Sequence, residues 1–430
     1  MNTGKYVNIR KLWRSKSIKN VMMLTSGTVL SQVLPILFFP ILSRLYTPAD
    51  YGVLGLFMSI SMLLMVVSNL QLNYAILIPK EDNEALSILH AGLHIIIFFT
   101  VFSLVIVITL GDLISSLLSS SELKVWLCLL PATVLFSGAN IQFSTWFNRT
   151  AQFKIISSSR IITSVVTIAG SLALSFFIDG PGGLVISYLF GNLSSFAVLI
   201  CSFKKNNSLF ILSFDEIKKI VGVHRNFPLY TLPTELISNF AQQLPMFIFS
   251  MYSGVQSVGW FSRSRQILGL PINYISSSIS EVYKQKASDA YRNNPSALRP
   301  LFLKTFGYLF IFSVLPFVII IIFSPLLFAF FFGENWRQAG IFTQCLALMY
   351  FFKFVISPLT FNFYIFSKQR LDLILHVVII IVTSVSLYIG FYFFRTDTYA
   401  LILFSISYSI IYMVYGIISY RLTHLSSSIN

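Results

Sequence analysis

Charged residues punctuate this chain at long intervals, and what lies between them is apolar. The uncharged runs cover 20–43, 51–79, 85–111, 125–148, 161–178, 180–203, 236–262, 305–333, 373–394 and 398–420. Two more, 266–280 and 338–367, are short or interrupted by the single Lys353. A helix of about 20 apolar residues spans the hydrocarbon of a bilayer, and little else explains repeated runs of that length. The pattern predicts an all-α integral membrane protein with about twelve transmembrane helices.

Composition sharpens this reading. Of the 430 residues, 56% are hydrophobic and 10% charged, where an ordinary soluble domain carries roughly 25% charged residues. A water-soluble fold has nowhere to hide so much apolar surface. The 43 Phe fit side chains that face acyl chains and membrane interfaces. Cys128, Cys201 and Cys345 fall within or at the end of apolar runs, without metal-ligand spacing, and read as packing residues.

The net charge of +15 is a topology signal. With twelve helices, one side collects the six cations of the first 19 residues, then Lys80, Arg149, Lys154, Arg160, the linker cations from Lys204 to Arg225, those from Lys284 to Lys304, then Lys368, Arg370 and Arg421. The other side keeps Arg44, Lys124, Arg337 and Arg395. By the positive-inside rule both termini are cytoplasmic. Cations scattered over short loops are not the basic face of a nucleic-acid binder, so no nucleic-acid partner is expected. No short apolar stretch with a small-residue cleavage site follows the basic start, so no removable signal peptide is expected. Tyr6, Ile9 and Trp13, spaced helically among the cations of that tail, fit a segment on an anionic leaflet; a solvated basic tail fits equally.

The expected organisation is a basic cytoplasmic tail at 1–19, a six-helix lobe at 20–203, a cytoplasmic linker at 204–225, a second six-helix lobe at 226–422 and a tail at 423–430. The linker carries the amphipathic stretch 214–220. An internal echo supports two halves: Tyr46-Thr47-Pro48-Ala49-Asp50-Tyr51-Gly52 after the first span matches Tyr252-Ser253-Gly254-Val255-Gln256-Ser257-Val258-Gly259 after the seventh, with one insertion. Parallel repeats of this kind mark transporters.

The stretch Leu42-Ser43-Arg44-Leu45-Tyr46-Thr47-Pro48-Ala49-Asp50-Tyr51-Gly52 resembles the opening signature of Wzx-type O-antigen and oligosaccharide flippases. Phe332-Gly333-Glu334-Asn335-Trp336-Arg337-Gln338-Ala339-Gly340 is similar to the family's loop before its tenth helix, and Gly259-Trp260-Phe261-Ser262 with Pro271 to its eighth. The superfamily also holds multidrug and toxin extruders and the lipid II flippase. The resemblance implies two six-helix lobes related by a pseudo-two-fold, V-shaped and working by alternating access. It implies transport of an undecaprenyl-pyrophosphate-linked oligosaccharide, an O-antigen or capsule repeat unit, from the cytoplasmic to the outer leaflet of a bacterial inner membrane. No cofactor is expected; H+ or Na+ coupling, or the membrane potential, would supply energy. The expected partners are the lipid-linked cargo and membrane lipids, with a polysaccharide polymerase and a chain-length regulator as further candidates.

Polar side chains inside spans are costly, so each is a functional candidate. On the seventh span, Glu235, Asn239 and Gln242 share a helical face. On the eighth, Arg263, Gln266, Asn273, Ser277 and Ser280 do so, and on the tenth, Tyr350, Lys353, Ser357, Thr360 and Tyr364. These faces are expected to line a hydrated cationic cleft, with Arg263 and Lys353 as anion contacts: a guanidinium forks onto phosphate oxygens, and an ammonium acts as a point charge. The alternative is that Glu235 pairs with Lys353 or Arg263 and only fixes packing. Resemblance to the lipid II flippase, where basic groups near the first and eighth helices face the pyrophosphate, favours Arg263. The first span offers Gln32 and, at its outer end, Arg44 in place of a mid-span cation. Arg265, about 200° around the helix from Arg263, is expected at the outer interface. Asp50, Pro35 and Pro233 are candidate gate residues.

His90 and His94, one turn apart, fit either a metal or proton site or satisfied bundle histidines, and His376 is a lone histidine of the same kind. Asn69, Gln71, Asn73, Asn140 and Gln142 fit helix-to-helix hydrogen bonds. A drug exporter of the same fold would want acidic cavity residues. A polymerase or ligase would want a long outer loop, which the spacing does not leave, and a channel sits poorly with a two-lobed repeat. No nucleophile triad, phosphate-cradling glycine loop or catalytic carboxylate pair points to an enzyme.

Overall fold

The computed structural model describes the backbone of Lys16–Leu425 and the side chains of 26–424. Tyr6, Ile9, Trp13 and most of the two expected tails lie outside the described residues. Among those residues all regular structure is helical, without a strand. In chain order the helices are α1 (Lys16–Leu37), α2 (Phe39–Leu45), α3 (Pro48–Ser68), α4 (Leu72–Ala75), α5 (Asp82–Leu117), α6 (Ser121–Leu127), α7 (Leu130–Arg149), α8 (Phe153–Leu174) and α9 (Gly182–Lys204). After the linker helix α10 (Phe214–Val223), a π-helical turn leads into α11 (Leu232–Ser253) and α12 (Val255–Pro271). A second π-helical turn joins α12 to α13 (Ser277–Asn293), followed by α14 (Leu298–Phe332), α15 (Arg337–Ile356), α16 (Asn362–Ile365), α17 (Gln369–Phe394) and α18 (Asp397–Leu425).

Among the described residues, 8 helices are long and apolar enough to cross a membrane, or 10 when the bent pairs α1–α2 and α6–α7 each count as one span. The α1–α2 bend of 41° has its cause in Pro35 and Pro40, which withdraw two backbone donors from the helical ladder. The other two expected spans are α11 and the α12–α13 pair. Their polar stripes dilute the hydropathy, the same feature that made them functional candidates. The uncharged run 236–262 turns at Gly254, where φ is +80°, and the next helix, α12, begins at Val255, inside the 252–259 stretch that the internal echo sets after the seventh span.

The chain divides into two compact units. Unit 1 combines the residues up to Tyr46 with Val53–Gln243, and unit 2 combines Thr47–Gly52 with the residues from Leu244 onward. The division therefore runs through α3 and, next to Pro245, through α11, rather than through the linker at 204–225.

In unit 1, α8 packs on α1 and α9, and α7 on α5 and α9. Backbone amides inside a helix are satisfied, so the seams are held by side chains. Gln142 Nε2 donates to Asn69 Oδ1 at 3.1 Å, and Asn140 Nδ2 to the Asn192 carbonyl at 3.0 Å. At the end near Lys80, Trp146, Phe143 and Phe203 meet edge to face. Arg149 ties the same end by donating to the Ile76 carbonyl at 3.0 Å and pairing with Asp82 at 3.0 Å. His90 and His94 each set Nδ1 against a carbonyl of their own helix, at 2.6 and 2.7 Å, and no metal-holding cluster occurs among the described residues. Cys128 and Cys201 are exposed, on surfaces rather than in the packing expected of them.

In unit 2, α15 is the central helix, against α12, α14 and α18, and α17 packs on α18. Its buried polar knot is Asn362, which accepts from the Tyr283 hydroxyl at 2.9 Å and donates to the Ser419 carbonyl at 3.3 Å. α14 is uncharged after Lys304, and its apolar surface is exposed from Leu303 to Phe331, which in this composition is a lipid-facing wall.

The linker helix α10 starts on a capping box. The Ser213 hydroxyl accepts from the Glu216 amide at 3.3 Å, and the Ser213 amide donates to Glu216 Oε2 at 2.7 Å. Donation from the Ser213 amide and hydroxyl holds the Glu216 carboxyl below the usual carboxylate range. A depressed carboxyl gives its stabilisation fully above the unfolded-state value of about 4.3 and loses it as pH falls through the folded one. The protection factors of the Asp215–Ile217 amides, exchange measured against the unfolded chain at the same pH, should therefore be high at pH 7 and fall several-fold below the folded value. Ser213→Ala should produce the low protection at pH 7.

Candidate functional site

The two halves of the internal echo touch each other, and they do so reciprocally. A Cβ built on Gly259 would stand 1.8 Å from the Pro48 carbonyl oxygen, and one on Gly52 1.9 Å from that of Val255. Each repeat thus sets the glycine at i+4 of its opening turn against the carbonyl at i of the other. Only the lack of a side chain permits that approach. Both turns are braced by a carboxylate. In the first, Thr47 is the N-cap: its amide and hydroxyl donate to Asp50 Oδ2 at 2.7 and 2.8 Å. In the second, where Gly254 offers no side chain, Ser253 and Ser257 donate to Asp397. Asp397 lies far away in sequence, and nothing in the chain's local pattern points to this role.

Arg263 lies one turn beyond Gly259. Its guanidinium carbon is 3.9 Å from the centre of the Tyr51 ring, and Nη1 donates to Gln266 Oε1. Tyr51 also meets Trp336 edge to face at 5.4 Å. Arg263 and Gln266, both expected on the cleft face, are indeed together, and the guanidinium is committed to the Tyr51 ring. Of the rest of that stripe, Asn273 falls in the π-helical turn and is exposed, as is Ser277.

A second cationic cluster lies deeper in unit 2. Lys353, half-buried on α15, holds Nζ 6.0 Å over the Tyr350 ring and 5.8 Å over the Tyr408 ring. Arg265, half-buried, acts electrostatically on the same Tyr350 and Tyr408. At 1.5 Å per residue, Arg265, Tyr408 and Lys353 stand roughly 15, 16 and 24 Å from the starts of α12, α18 and α15, so each lies several turns inside its helix.

On α11, Asn239 Nδ2 donates to the Glu235 carbonyl at 2.7 Å and to Glu235 Oε2 at 3.3 Å, so the expected shared face exists. Gln242 and Pro233 are exposed. The neighbouring Gln243, absent from the expected stripe, is buried and bonded to the Ser59 hydroxyl at 3.1 Å. In unit 1, Gln32 and Arg44 are exposed. The cation that sequence reasoning passed over is Arg160. Counted there as a loop residue, it sits roughly 10 Å inside α8, exposed, donating to Thr28 Oγ1 of α1, one turn from Gln32. The signal was Phe153-Lys154-Ile155-Ile156, which starts the helix well before the charge.

A family model described as polysaccharide biosynthesis protein matches residues 41–341. The chain belongs to the polysaccharide biosynthesis protein family. Comparison with curated proteins found no match. Among solved structures, this family member is similar to the lipid II flippase MurJ in an inward closed conformation, with a TM-score of 0.71, 17% identity and coverage of 94% of this chain and 87% of that one. It is also similar to an inward-facing multidrug resistance transporter of the MATE family, of the MOP superfamily, with a TM-score of 0.64, 16% identity and coverage of 92% and 96%. A third is a MOP superfamily transporter from Pyrococcus furiosus described by the reverse polarity of its binding pocket, with a TM-score of 0.55, 17% identity and coverage of 99% and 98%. The fold of this polysaccharide biosynthesis protein is that of an α-helical, multi-pass membrane transporter.

Gly259→Val and Gly52→Val should each drive a side chain into a carbonyl. Overpacking of that kind costs about 1–3 kcal/mol, read as a lower melting temperature in detergent. Ala in place of Asp50 should cost less, because the turn retains its other bonds.

Proposed function

We propose that this protein is a flippase that moves a lipid-linked oligosaccharide from the cytoplasmic to the outer leaflet of a bacterial inner membrane, with both termini cytoplasmic. The observation that carries the reading is that Lys353 and Arg265 act on the same Tyr350 and Tyr408 from within spanning helices of a polysaccharide biosynthesis protein. Lipid cannot solvate such charges. They suit a cargo that brings negative charge into the membrane, an undecaprenyl pyrophosphate carrying an O-antigen or capsule repeat. The MurJ fold, solved for a protein named as a lipid II flippase, supports the same class.

The physical problem such a protein solves is that a diphosphate and several sugars will not enter hydrocarbon, while a long prenyl tail will not leave it. Cations on a hydrated path hold the head group and the glycan, and the tail trails through lipid. Arg160, exposed beside Thr28 and one turn from Gln32, is the candidate contact for the diphosphate. Arg263, stacked on Tyr51, together with Asp50, Pro35 and Pro233, belongs to the parts that bend or brace. Glu235, with Asn239, is the candidate proton-coupling carboxylate. A multidrug cation exporter of the same fold would want carboxylates where Lys353 and Arg265 stand.

An inside-negative potential contributes about 2.3 kcal/mol per charge per 100 mV to outward movement of an anion. Proteoliposomes loaded with a fluorescent lipid-linked oligosaccharide should therefore flip it faster under an imposed inside-negative potential. Transport that ignores potential and follows only a pH gradient would remove the electrical drive. Arg160→Ala should lower the rate at least ten-fold at equal protein level; an undiminished rate would remove Arg160 from the diphosphate.

A further inference from the structure

Between α14 and the turn that joins α12 to α13 lies a groove of about 520 Å³. One wall is Ile275 and Ile279, and the other is Tyr308, Leu309 and Phe312. The turn itself makes the space. Pro271 has no amide to return to the helical ladder, and Ile272–Ser276 follows in the wider π-helical winding, a form that recurs at functional sites. Its inner side is tied down, because the Ser276 hydroxyl donates to the Phe354 carbonyl at 2.9 Å, and the neighbouring Ile275 is left exposed. Toward the start of α14 the groove closes where Tyr283 and Ala287 of α13 pack with Leu298 and Phe302. Buried Leu309 is its floor, while Tyr308 and Phe312 stand exposed on its rim. The end near Tyr308 is basic. Lys304, exposed, is the last charge before the uncharged stretch 305–333, and its Nζ lies 5.9 Å from the centre of the Tyr308 ring. It enters no ion pair among the described residues. The carboxylate of Glu281 on α13 is held by Lys284 at 2.7 Å, and Arg299 gives its Nε to the Tyr420 hydroxyl at 3.1 Å.

We propose that this groove seats a resident anionic glycerophospholipid, one acyl chain lying between α14 and the π-helical turn and its phosphate meeting Lys304. Two features choose that occupant. An ammonium where hydrocarbon begins calls for an anion fixed to the membrane, and an anionic lipid brings one without leaving its leaflet. From Thr305 to Phe312 the groove runs about 11 Å along α14, less than half of the roughly 30 Å of hydrocarbon. That length fits a lipid that stays in one leaflet, not one that is carried across. The bound chain fills the space beside the π-helical turn and steadies the junction of α12 with α13. Such a site goes beyond the flippase reading and stands whether or not that reading holds.

The test places the full-length protein in phosphatidylcholine vesicles doped with either phosphatidylglycerol or phosphatidylcholine that carries a photoreactive diazirine on one acyl chain. After irradiation, labelled peptides are quantified by mass spectrometry. In the wild type, Ile275, Ile279 and residues 305–312 should take about five-fold more label from phosphatidylglycerol, the preference one lysine gives near an anionic surface. Residues 322–331, on the far part of the same helix, should show no preference. Lys304→Ala should bring the ratio in the groove near one, and Lys304→Arg should keep it. Ile279→Trp, which fills the groove, should lower the label there from both lipids. Gel filtration of each variant separates loss of binding from loss of fold. Equal labelling of the wild-type groove by the two lipids, a preference that survives Lys304→Ala, or undiminished label in Ile279→Trp would each overturn the site. So would loss of the phosphatidylglycerol label to an equal amount of undecaprenyl phosphate but not to unlabelled phosphatidylglycerol, which would give the groove to a prenyl chain.

Discussion

Hydrocarbon solvates neither a charge nor an open hydrogen bond, and every polar position in this chain answers to that constraint. Most are absorbed locally. Serines and threonines return their hydroxyls to carbonyls of their own helix, as Ser59 does to Gly55 and Thr343 to Ala339, and amides such as Gln142 and Asn69 bridge helices. Three cationic places within the spanning helices stand out beside these: Arg263 on Tyr51, Lys353 with Arg265 about Tyr350 and Tyr408, and Arg160 on α8.

The three cationic positions are held in different ways, and the difference separates their roles. Arg263 is stacked on an aromatic ring and hydrogen-bonded to its own helix, an arrangement that holds the cation against a ring face. Arg160 is exposed and donates to Thr28 of α1. Lys353 is half-buried against ring faces, which stabilise an ammonium without neutralising it.

The fold was largely legible in the sequence because bilayer thickness imposes one length on every span, and charges mark where spans end. The turn at Gly254 has no charge on either flank and was legible through the internal echo alone, which set 252–259 after the seventh span. The stripe Glu235, Asn239 and the contact between Arg263 and Gln266 followed from helical periodicity, which fixes neighbours on one helix. Periodicity says nothing of what stands opposite, so the electrostatic action of Arg265 on Tyr350 and Tyr408, the bracing of Ser253 and Ser257 by Asp397, and the mating of Gly52 with Val255 all required coordinates. Arg160 was misplaced for a further reason: a charge within about 10 Å of a helix end reads as a boundary even when the helix has begun two turns earlier.

The exposed apolar wall of α14, from Leu303 to Phe331, runs about 42 Å along its axis. The hydrocarbon of a typical bilayer is about 30 Å thick. Such a helix must incline, bend at Pro316 or Pro325, or thicken the lipid around it. Hydrophobic mismatch is thereby built into unit 2, and the thickness of the host membrane becomes a mechanical variable acting on α15 and the cations it carries.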